Sequence, residues 1–321
     1  MCYSAQVIQV MKKLQRELGV VLDYEAAEKL FLRRLEEPSI LISRGFEANF
    51  ADPHDAPQRR IAQAIEEHRA RSASKLEKDL FSQKTRLVTA NRSLATKETK
   101  KAREDVRIAT NKIDSLSAKL ADLRRTELEA RDNRIFPMVY AGVIVKRGDQ
   151  KLLTPMRYHC RPAGKPAFYD KKFPGLYNAR RDNLEKFWGE QFGHHHALMV
   201  VESFYENVKR HDAEHRALAA GEAERNVVLH FTPKPAHPML VACLWSRWTA
   251  PQEPDLCGFA AITDGPPAEI AAAGHDRCII YIRAENVNTW LSPEGQSAEA
   301  LQAMLSDRPA LLYEHEVLKA A

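Results

Sequence analysis

The sequence lacks the features that mark secreted, disulfide-bonded and membrane-spanning proteins. Its 321 residues include five cysteines, an odd number without any CxxC pair, which argues against a disulfide framework. No stretch reaches the roughly 18 consecutive apolar residues of a membrane span, and the first residues do not have the pattern of a signal peptide. We therefore expect a cytoplasmic protein that does not contact a membrane.

Motifs for metals and cofactors are scarce as well. The run His194-His195-His196 is the one tempting ligand set. Consecutive residues of a helix or strand do not converge on one ion, so we interpret this run as a polar loop. We expect neither a metal ion nor another cofactor.

Glycine and proline are absent from residues 59–130, which are rich in Lys, Arg, Glu, Ala and Leu, as long helices are. The second half has apolar residues at alternating spacings of three and four, the pattern of a coiled-coil seam, and the first half has a looser stripe. Residues 89–93 interrupt the pattern and predict the turn of a helical hairpin, although one long helix paired with a second subunit also fits. The seam residues are Val106, Ala109, Ile113, Leu116, Leu120 and Leu123, and the stripe residues are Ile61, Ile65, Leu76, Leu80 and Leu87.

This helical arm also holds the positive charge of the chain. Residues 59–130 contain 18 Lys and Arg against 11 Asp and Glu, whereas the whole chain has a net charge of +5, so the remainder is slightly acidic. The arm is either a solvated charged surface or a surface for nucleic acid or a partner protein. Self-association and contact with a replication protein are the partner interactions that it predicts.

The arm divides the chain into three parts, 1–58, 59–130 and 131–321. Residues 1–58 have helical patterns and end at a break around Pro53 and Pro57. The last part holds 14 of the 17 prolines and several short apolar runs, which predicts a loop-rich, mostly antiparallel β domain and an α+β fold class. Strands are predicted at 138–145, 197–201, 239–245, 259–263 and 278–282, and helices at 7–18, 24–35, 268–273, 286–291 and 298–305.

The residue with the most distinctive chemistry is Cys2, which directly follows Met1. If Met1 is removed, Cys2 carries an α-amine and a thiol on adjacent carbons. Their pKa values are about 7.7–8.0 and about 8.5, so both are partly nucleophilic near neutral pH. The amine would take an aldehyde as a Schiff base, and the thiol would then close a thiazolidine ring.

Three further segments place polar residues at the ends of apolar runs. They contain Asn178, Glu206 and His275. A carboxylate and an imidazole beside an amine–thiol nucleophile would supply general acid–base help for carbonyl addition and dehydration. Each residue also has a structural interpretation: a turn for Asn178, an exposed strand position for Glu206 and a helix cap for His275.

Together these segments resemble the SRAP family, the SOS response-associated peptidases, also known as abasic site processing proteins. That family opens with Met-Cys and continues with an Asn-Ala-Arg motif, a Gly-Phe-Tyr-Glu-Trp type motif, an Ala-Gly-Leu-Trp strand and a His-Asp-Arg-Met-Pro type motif. The resemblance implies a mostly antiparallel SRAP-like β domain with flanking helices. Residues 1–58 would supply its N-terminal catalytic strand and helices, 131–321 would form the main β domain, and the helical arm would be inserted between them. The matching segments are Met1-Cys2, Asn178-Ala179-Arg180, 203–207, 239–245 and 275–279, followed by Trp290-Leu291.

The resemblance also implies roles for the matching residues. Cys2 would attack the open-chain aldehyde of an abasic deoxyribose in single-stranded DNA and end as a stable thiazolidine crosslink. Asn178 would position the sugar and the amine, Glu206 would exchange protons during ring opening and Schiff-base formation, and His275 would act on the sugar hydroxyls.

DNA contacts and side activities follow from the same resemblance. Arg180 and Arg277 would hold flanking phosphates, and Phe168 and Tyr169 would stack on bases beside the lesion. Schiff-base chemistry at C1′ also permits β-elimination, so weak lyase activity is implied. Met1 would be removed either by self-catalysis or by an ordinary aminopeptidase, and the protein would associate with the nucleoid.

The sequence departs from the family pattern at several positions. Residues 157–162 read Arg-Tyr-His-Cys-Arg-Pro where members have Trp-Gly-Leu-Ile-Pro. Ser203 and Asn207 replace the glycine and tryptophan of the glutamate motif, and Cys278-Ile279 replaces Met-Pro. Cys2, Asn178, Glu206 and His275 are unchanged.

Two other functions fit parts of the sequence. One is an N-terminal-nucleophile cysteine peptidase that acts through Cys2 on other proteins. The other is a non-enzymatic protein that binds DNA through the basic coiled-coil arm, with the β domain as a scaffold.

Overall fold

A computed structural model describes residues 3–318. The strands are β1 Ser4–Val7, β2 Val20–Leu22, β3 Arg134–Ile135, β4 Tyr140–Arg147, β5 Gln150–Tyr158, β6 Asn178–Arg180, β7 His196–Lys209, β8 Asn226–Lys234, β9 Met239–Ala250, β10 Glu253–Asp264, β11 Cys278–Ile279 and β12 Leu312–Leu318. The α-helices are α1 Met11–Leu18, α2 Tyr24–Glu36, α3 Arg44–Glu47, α4 Ala56–Thr96, α5 Lys100–Arg124, α6 Tyr169–Lys172, α7 Arg210–Ala213, α8 Ala268–Ala272, α9 Val287–Trp290 and α10 Ala298–Ser306. Within residues 3–318, no helix has both the length and the apolar character that crossing a bilayer requires.

Five long strands close into a ring through the pairings β10–β5–β4–β7–β9–β10. The β10–β5 pair is parallel and the other four are antiparallel, as expected for a mostly antiparallel α+β fold. Each strand of the ring contributes buried side chains to one apolar core. Full burial of such a side chain stabilises the fold by about 1.5–3 kcal/mol, so the ring is a rigid support for what lies at its edges. Representative core residues, one from each strand, are Val143, Met156, Met199, Val241 and Phe259.

Short strands extend the ring, and two of these extensions position the candidate site. β1 lies between β3 and β7 and pairs antiparallel with both. β6 runs parallel to the end of β10, and β11 pairs antiparallel with the same end. The beginning of the chain, the Asn178 segment and the segment after His275 are therefore all fixed by pairing with strands of the ring.

Most predicted elements are present, with shifted ends. The five predicted strands overlap β4, β7, β9, β10 and β11, and the predicted helix at 24–35 is α2. The prediction of a helix over 7–18 is wrong at its start, because Ser4–Val7 is a buried strand and α1 begins only at Met11. The sheet partners of β1 come from more than 120 residues away, so the local pattern could not reveal them.

The contacts between residues divide the chain into two compact units. The first comprises residues 1–27, 40–51 and 129–321 and contains the ring. The second comprises residues 28–39 and 52–128 and contains α4 and α5. The predicted helical arm, 59–130, corresponds to these two helices.

Helices α4 and α5 form an antiparallel hairpin. The seam predicted in the second helix packs within this hairpin, and Ala109 and Leu120 are buried there. Two ion pairs connect the helices, Arg86 with Asp105 and Arg124 with Glu77. As the residue number of the α4 partner rises from 77 to 86, that of the α5 partner falls from 124 to 105, so the two helices are antiparallel.

The turn of this hairpin lies at residues 97–99, so the prediction of a turn at 89–93 is wrong. The hydroxyls of Thr89 and Ser93 donate hydrogen bonds to carbonyls one turn earlier, which lets them remain inside α4. The residue that marks the break is Thr99, the N-cap of α5, whose hydroxyl accepts a hydrogen bond from the Ala102 N–H at 3.1 Å.

Candidate functional site

The chain enters the site along β1. Ser4 lies opposite Tyr205 and Ala5 opposite Phe204. The backbone N–H of Tyr3, the residue before β1, hydrogen bonds to the Glu206 carboxyl. Ser4 and Ala5 are fully buried. Cys2, the predicted nucleophile, lies outside the described residues.

Arg134 holds β1 against β7, a role that the sequence did not suggest. Its guanidinium lies 3.6 Å from the centre of the Tyr205 ring, and its Nε donates a hydrogen bond to the Ser4 hydroxyl at 3.0 Å. A guanidinium over an aromatic face is attracted by the ring quadrupole. Because Arg134 belongs to a two-residue strand after the arm, no periodic pattern marks it.

The Glu206 carboxyl is completely buried in β7. Burial raises its pKa from 4.5 to about 8, because removal from water disfavours the charged form. The backbone N–H of Tyr3 acts in the opposite direction by hydrogen bonding to the carboxyl, and the negative charge of Asp276 adds to the increase. Glu206 therefore keeps its proton at neutral pH. Its structural interpretation as an exposed strand residue is wrong, because the side chain is buried.

His275 faces this carboxyl. Its Nε2 lies 3.4 Å from Glu206 Oε2, and its Nδ1 lies 2.7 Å from the Arg277 carbonyl. The Arg277 N–H is farther from Nδ1, at 3.3 Å, so we assign the Nδ1 proton to the carbonyl contact. Burial lowers the pKa of His275. The neutral imidazole then presents the lone pair of Nε2 to protonated Glu206, and the two form an uncharged acid–base pair.

Gly274 sets the position of His275. Its φ is +88°, in the region that favours glycine. A Cβ at this position would come within 2.9 Å of the Asp212 Cβ and 3.0 Å of Val208 Cγ1. The segment before β11 can therefore approach β7 closely enough for His275 to reach Glu206.

Asn178 is buried at the start of β6, opposite Ala261 of β10. Two residues further along β10, Thr263 lies opposite both Arg180 and Ile279. The Asn178 and His275 segments therefore flank the same end of β10. Asn178 is a strand residue, although its backbone N–H also closes a turn on the Gly175 carbonyl at 3.0 Å.

Arg180 and Arg277 share one charged surface. Arg180 Nη2 lies 2.5 Å from Asp182 Oδ2, and both side chains are exposed. The Arg180 guanidinium, with a smaller effect from Arg277, lowers the pKa of Asp182. An exposed ion pair of this kind contributes little to stability, so the Arg180 guanidinium can exchange Asp182 for a phosphate at small cost.

The predicted stacking residues, Phe168 and Tyr169, lie on the segment around α6. Phe168 is 56% exposed, whereas the Tyr169 ring packs against Phe173 with centroids 4.8 Å apart. Phe168 is thus the more accessible of the two. The aromatic contacts of Phe168 and Tyr169 are with each other and with Phe173. They are not contacts with the acid–base pair of Glu206 and His275.

Asp170 ties this segment to β5 through a buried charge cluster that the sequence reasoning missed. Arg157, His159 and Arg161 alternate along the chain, which puts three side chains on one side of an extended segment. Asp170 receives Arg157 Nη1 at 2.9 Å and Arg161 Nη2 at 2.5 Å, and His159 Nε2 lies 3.4 Å away. Burial alone would raise the pKa of Asp170, but hydrogen bonds from His159, Arg161 and Arg157 hold it well below its usual value.

Replacing Asp170 by asparagine should destabilise the protein by about 3–5 kcal/mol, because Arg157 and Arg161 would remain buried without a counter-charge. Urea unfolding of the wild type and the variant measures this difference. Asp182→Asn, which breaks an exposed pair, is the control and should leave the free energy of unfolding nearly unchanged. Equal losses in the two variants would contradict a structural role for the Asp170 cluster.

The prediction that the run His194-His195-His196 is a polar loop is wrong for its last residue. His196 is not in a polar loop but is buried at the start of β7, where its ring lies 3.9 Å from the centre of the Trp290 ring. Nδ1 pairs with the Trp290 carbonyl at 3.0 Å, and Nε2 accepts from the Gly193 N–H at 2.9 Å. Burial lowers its pKa to about 3, so it stays neutral as a core residue.

The fold and site together define an α+β protein with a buried, uncharged acid–base pair beside the start of its first strand. The SRAP family model, described as SOS response associated peptidase, matches residues 91–320. This is well over half of the chain and includes Asn178, Glu206 and His275. The chain belongs to the SRAP family.

Three of the solved structures similar to this chain come from Bordetella bronchiseptica and Bacteroides thetaiotaomicron. A protein of Bordetella bronchiseptica is 16% identical, with a TM-score of 0.47 over 61% of this chain and 90% of its own. A protein of Bacteroides thetaiotaomicron is 13% identical, with a TM-score of 0.44 over 56% and 74%. A phage-related protein of B. bronchiseptica is 19% identical, with a TM-score of 0.41 over 57% and 80%. No curated protein matches the sequence significantly.

Proposed function

We propose that this protein captures abasic sites in single-stranded DNA as a covalent thiazolidine between Cys2 and the ring-opened deoxyribose. The observation that carries the proposal is the contact between Glu206 and His275, 3.4 Å apart and buried beside the first described residue of the chain. Such a pair can give and take protons near neutral pH without bearing a net charge, as carbonyl addition and dehydration require.

The reaction begins with the closed sugar, which must open to expose its aldehyde. His275 takes the proton of the C1′ hydroxyl through Nε2, and protonated Glu206 donates a proton to the ring oxygen as the ring opens. The Cys2 amine adds to C1′. One proton of the amine passes to the aldehyde oxygen and gives a carbinolamine. Its hydroxyl takes a proton from His275 and leaves as water, while the nitrogen gives its remaining proton to Glu206, so that a neutral Schiff base remains and the acid–base pair returns to its starting state.

Ring closure completes the product. The Cys2 sulfur adds to C1′ of the Schiff base, and the nitrogen takes up the proton that the thiol gives up. The overall change joins the open-chain sugar to the protein with the loss of one water. No oxidant or reductant is needed, and the reverse sequence of proton transfers would release the DNA.

The surrounding residues suit the binding of a single strand. The amide of Asn178 would hold the sugar beside the Cys2 amine. Arg180 and Arg277 would pair with phosphates on either side of the lesion, and Phe168, with Tyr169 behind it, would stack on a neighbouring base. β-Elimination from the same Schiff base would give a weak lyase activity.

The decisive experiment compares two single-stranded oligonucleotides that differ only at the lesion. One carries a natural abasic site and the other its tetrahydrofuran analogue, which has no C1′ hydroxyl and cannot open to an aldehyde. We expect a denaturation-resistant adduct with the first alone, and its mass should equal the sum of the components minus one water. Equal adducts with both oligonucleotides, or none with either by protein whose mass shows that Met1 is absent, would overturn the proposal.

The description of the family as peptidases supports one alternative, in which Cys2 is an N-terminal nucleophile that cleaves other proteins. The same acid–base pair would then activate Cys2 toward peptide carbonyls. Turnover of a mixed peptide library by the protein, without adduct formation on abasic DNA, would favour that alternative.

A further inference from the structure

The hairpin of α4 and α5 uses its arginines and lysines differently. Most of its arginines are in ion pairs with carboxylates, such as Arg86 with Asp105 at 2.5 Å. The lysines at positions 75, 78, 84, 97, 100, 101, 112 and 119 have no carboxylate within 4 Å among residues 3–318 and are exposed. The free positive charge of the hairpin therefore belongs mainly to lysines. The other paired arginines are Arg60, Arg69, Arg71, Arg103, Arg107, Arg124 and Arg125.

Three of these lysines share one side of α5. Lys112 follows Lys101 by 11 residues and precedes Lys119 by seven, and both spacings are close to whole numbers of turns at 3.6 residues per turn. Asp105 lies on the same side, because it follows Lys101 by four residues and precedes Lys112 by seven.

The ion pair between Arg86 and Asp105 shows which side of α4 lies next to this row. Lys75 precedes Arg86 by 11 residues, so it is on that side of α4. Lys75, Lys101, Lys112 and Lys119 thus form one exposed surface of the hairpin, which we name the lysine flank. Asp79, four residues after Lys75, is an acidic member of the same surface.

We propose that the lysine flank binds the phosphate backbone of nucleic acid without sequence specificity, as a contact independent of the abasic-site chemistry. At about 1.5 Å of rise per residue, Lys101 and Lys119 are about 27 Å apart along α5. One strand of duplex DNA presents about eight phosphates over that length. Flexible ammonium groups spread along a rigid helix can pair with several of them.

A protein partner fits this surface less well. Protein interfaces depend on buried aromatic or arginine anchors, whereas the flank consists of separated lysines around an arginine that already has a partner. The largest exposed aromatic side chain of the hairpin, Phe81, is 74% exposed. It precedes Arg86 by five residues, which puts it about 140° away around α4 and off the flank.

The test uses the full-length protein with lysine-to-glutamine changes at all four flank positions. The control variant has the same loss of charge away from the flank, through Arg59→Gln, Lys84→Gln, Arg92→Gln and Lys100→Gln. The probes are a labelled 20-base-pair duplex and a single strand of the same length, both without abasic sites. Binding is followed by fluorescence anisotropy between about 50 and 200 mM salt.

The flank variant should bind the duplex at least tenfold more weakly at low salt. Its slope of log affinity against log salt should be smaller by about 3.6 if all four lysines contact phosphates, because each lost phosphate contact removes about 0.9. The control should stay within about threefold of the wild type, and changing the four flank lysines to arginine should preserve binding. The same behaviour with the single strand alone would identify that form of nucleic acid as the ligand.

Wild-type binding by the flank variant, or equal losses in the flank and control variants, would overturn the proposal. Loss of binding in the lysine-to-arginine variant, while its melting temperature is unchanged, would also contradict it. Because both probes lack an aldehyde, failure here leaves the crosslinking function untouched, and failure of crosslinking leaves this result untouched. A flank variant that binds DNA normally but loses self-association would instead assign the surface to a second copy of the chain.

Discussion

Replacing Cys2 by alanine should abolish the stable adduct with abasic single-stranded DNA, a loss of at least about 1,000-fold over the wild type. Alanine retains the α-amine, so a Schiff base can still form, but no thiol remains to close the ring. Hydrolysis then returns the aldehyde. The measurement is the fraction of oligonucleotide that is shifted on a denaturing gel after a fixed time, with Met1 removal verified by mass in each preparation.

Cys2→Ser and Cys257→Ala make this experiment specific. The serine variant should give an adduct only when borohydride reduces the Schiff base, since its hydroxyl is a much weaker nucleophile than a thiol. Cys257 is partly accessible, and burial raises the pKa of its thiol, so Cys257→Ala should crosslink as the wild type does. A stable adduct with Cys2→Ala would show that another residue is the nucleophile.

Glu206→Gln should slow adduct formation by about 100- to 1,000-fold, within the range that proton transfer by a positioned side chain contributes. Glutamine has nearly the same shape as protonated glutamate and can keep a hydrogen bond with the Tyr3 backbone, but it cannot give up a proton to the sugar. Single-turnover rates with excess protein measure the change. Glu202→Gln, an exposed position of the same strand, is the matched control and should leave the rate unchanged.

The pH dependence gives this prediction a second readout. Because the pKa of Glu206 is about 8, the acid form is lost as the pH rises through that value. The wild-type rate should therefore decline above about pH 8, and this decline should be absent from the residual rate of Glu206→Gln. The same decline in both proteins would assign it to another group.

Stability should respond to the same titration. The folded protein keeps a proton on Glu206 that the unfolded chain releases above about pH 4.5, so stability is lost as the pH rises from there to about 8. The slope is at most about 1.4 kcal/mol per pH unit from this one group. Urea unfolding at several pH values should show that Glu206→Gln is more stable than the wild type at pH 8 and closer to it at pH 5.

Local patterns predicted the fold wherever neighbours in sequence determine it. The seam of α5 followed from heptad spacing, and strands such as β9 and β10 followed from apolar runs between turn residues. The residue pattern did not mark β1, and the predicted helix began at its last residue, Val7, because the partners of β1, Ile135 and Phe204, are distant in sequence. The hairpin turn was misplaced because hydroxyl side chains such as Ser93 are compatible with a helix when they bond back to its carbonyls.

The site shows the same limit. Glu206 and His275 could be singled out as polar residues at the ends of apolar runs, and the resemblance to a family connected them. Their 3.4 Å contact and the raised pKa of Glu206 depend on burial, which follows from tertiary packing alone. The carboxylate of Asp170 lies some ten residues from its cationic partners, and the alternation of Arg157, His159 and Arg161 is a signal that could have identified them.

The pairing of β1 also determines when the acid–base pair can mature during synthesis. β1 contacts strands that lie about 130 and 200 residues later in the chain, and contacts of such long range form late because closing large loops costs entropy. A ribosome must release more than 270 residues before the imidazole of His275 exists to meet Glu206. A growing chain therefore lacks the proton-transfer pair, and under the proposed function covalent capture of DNA would begin only once the sheet is complete.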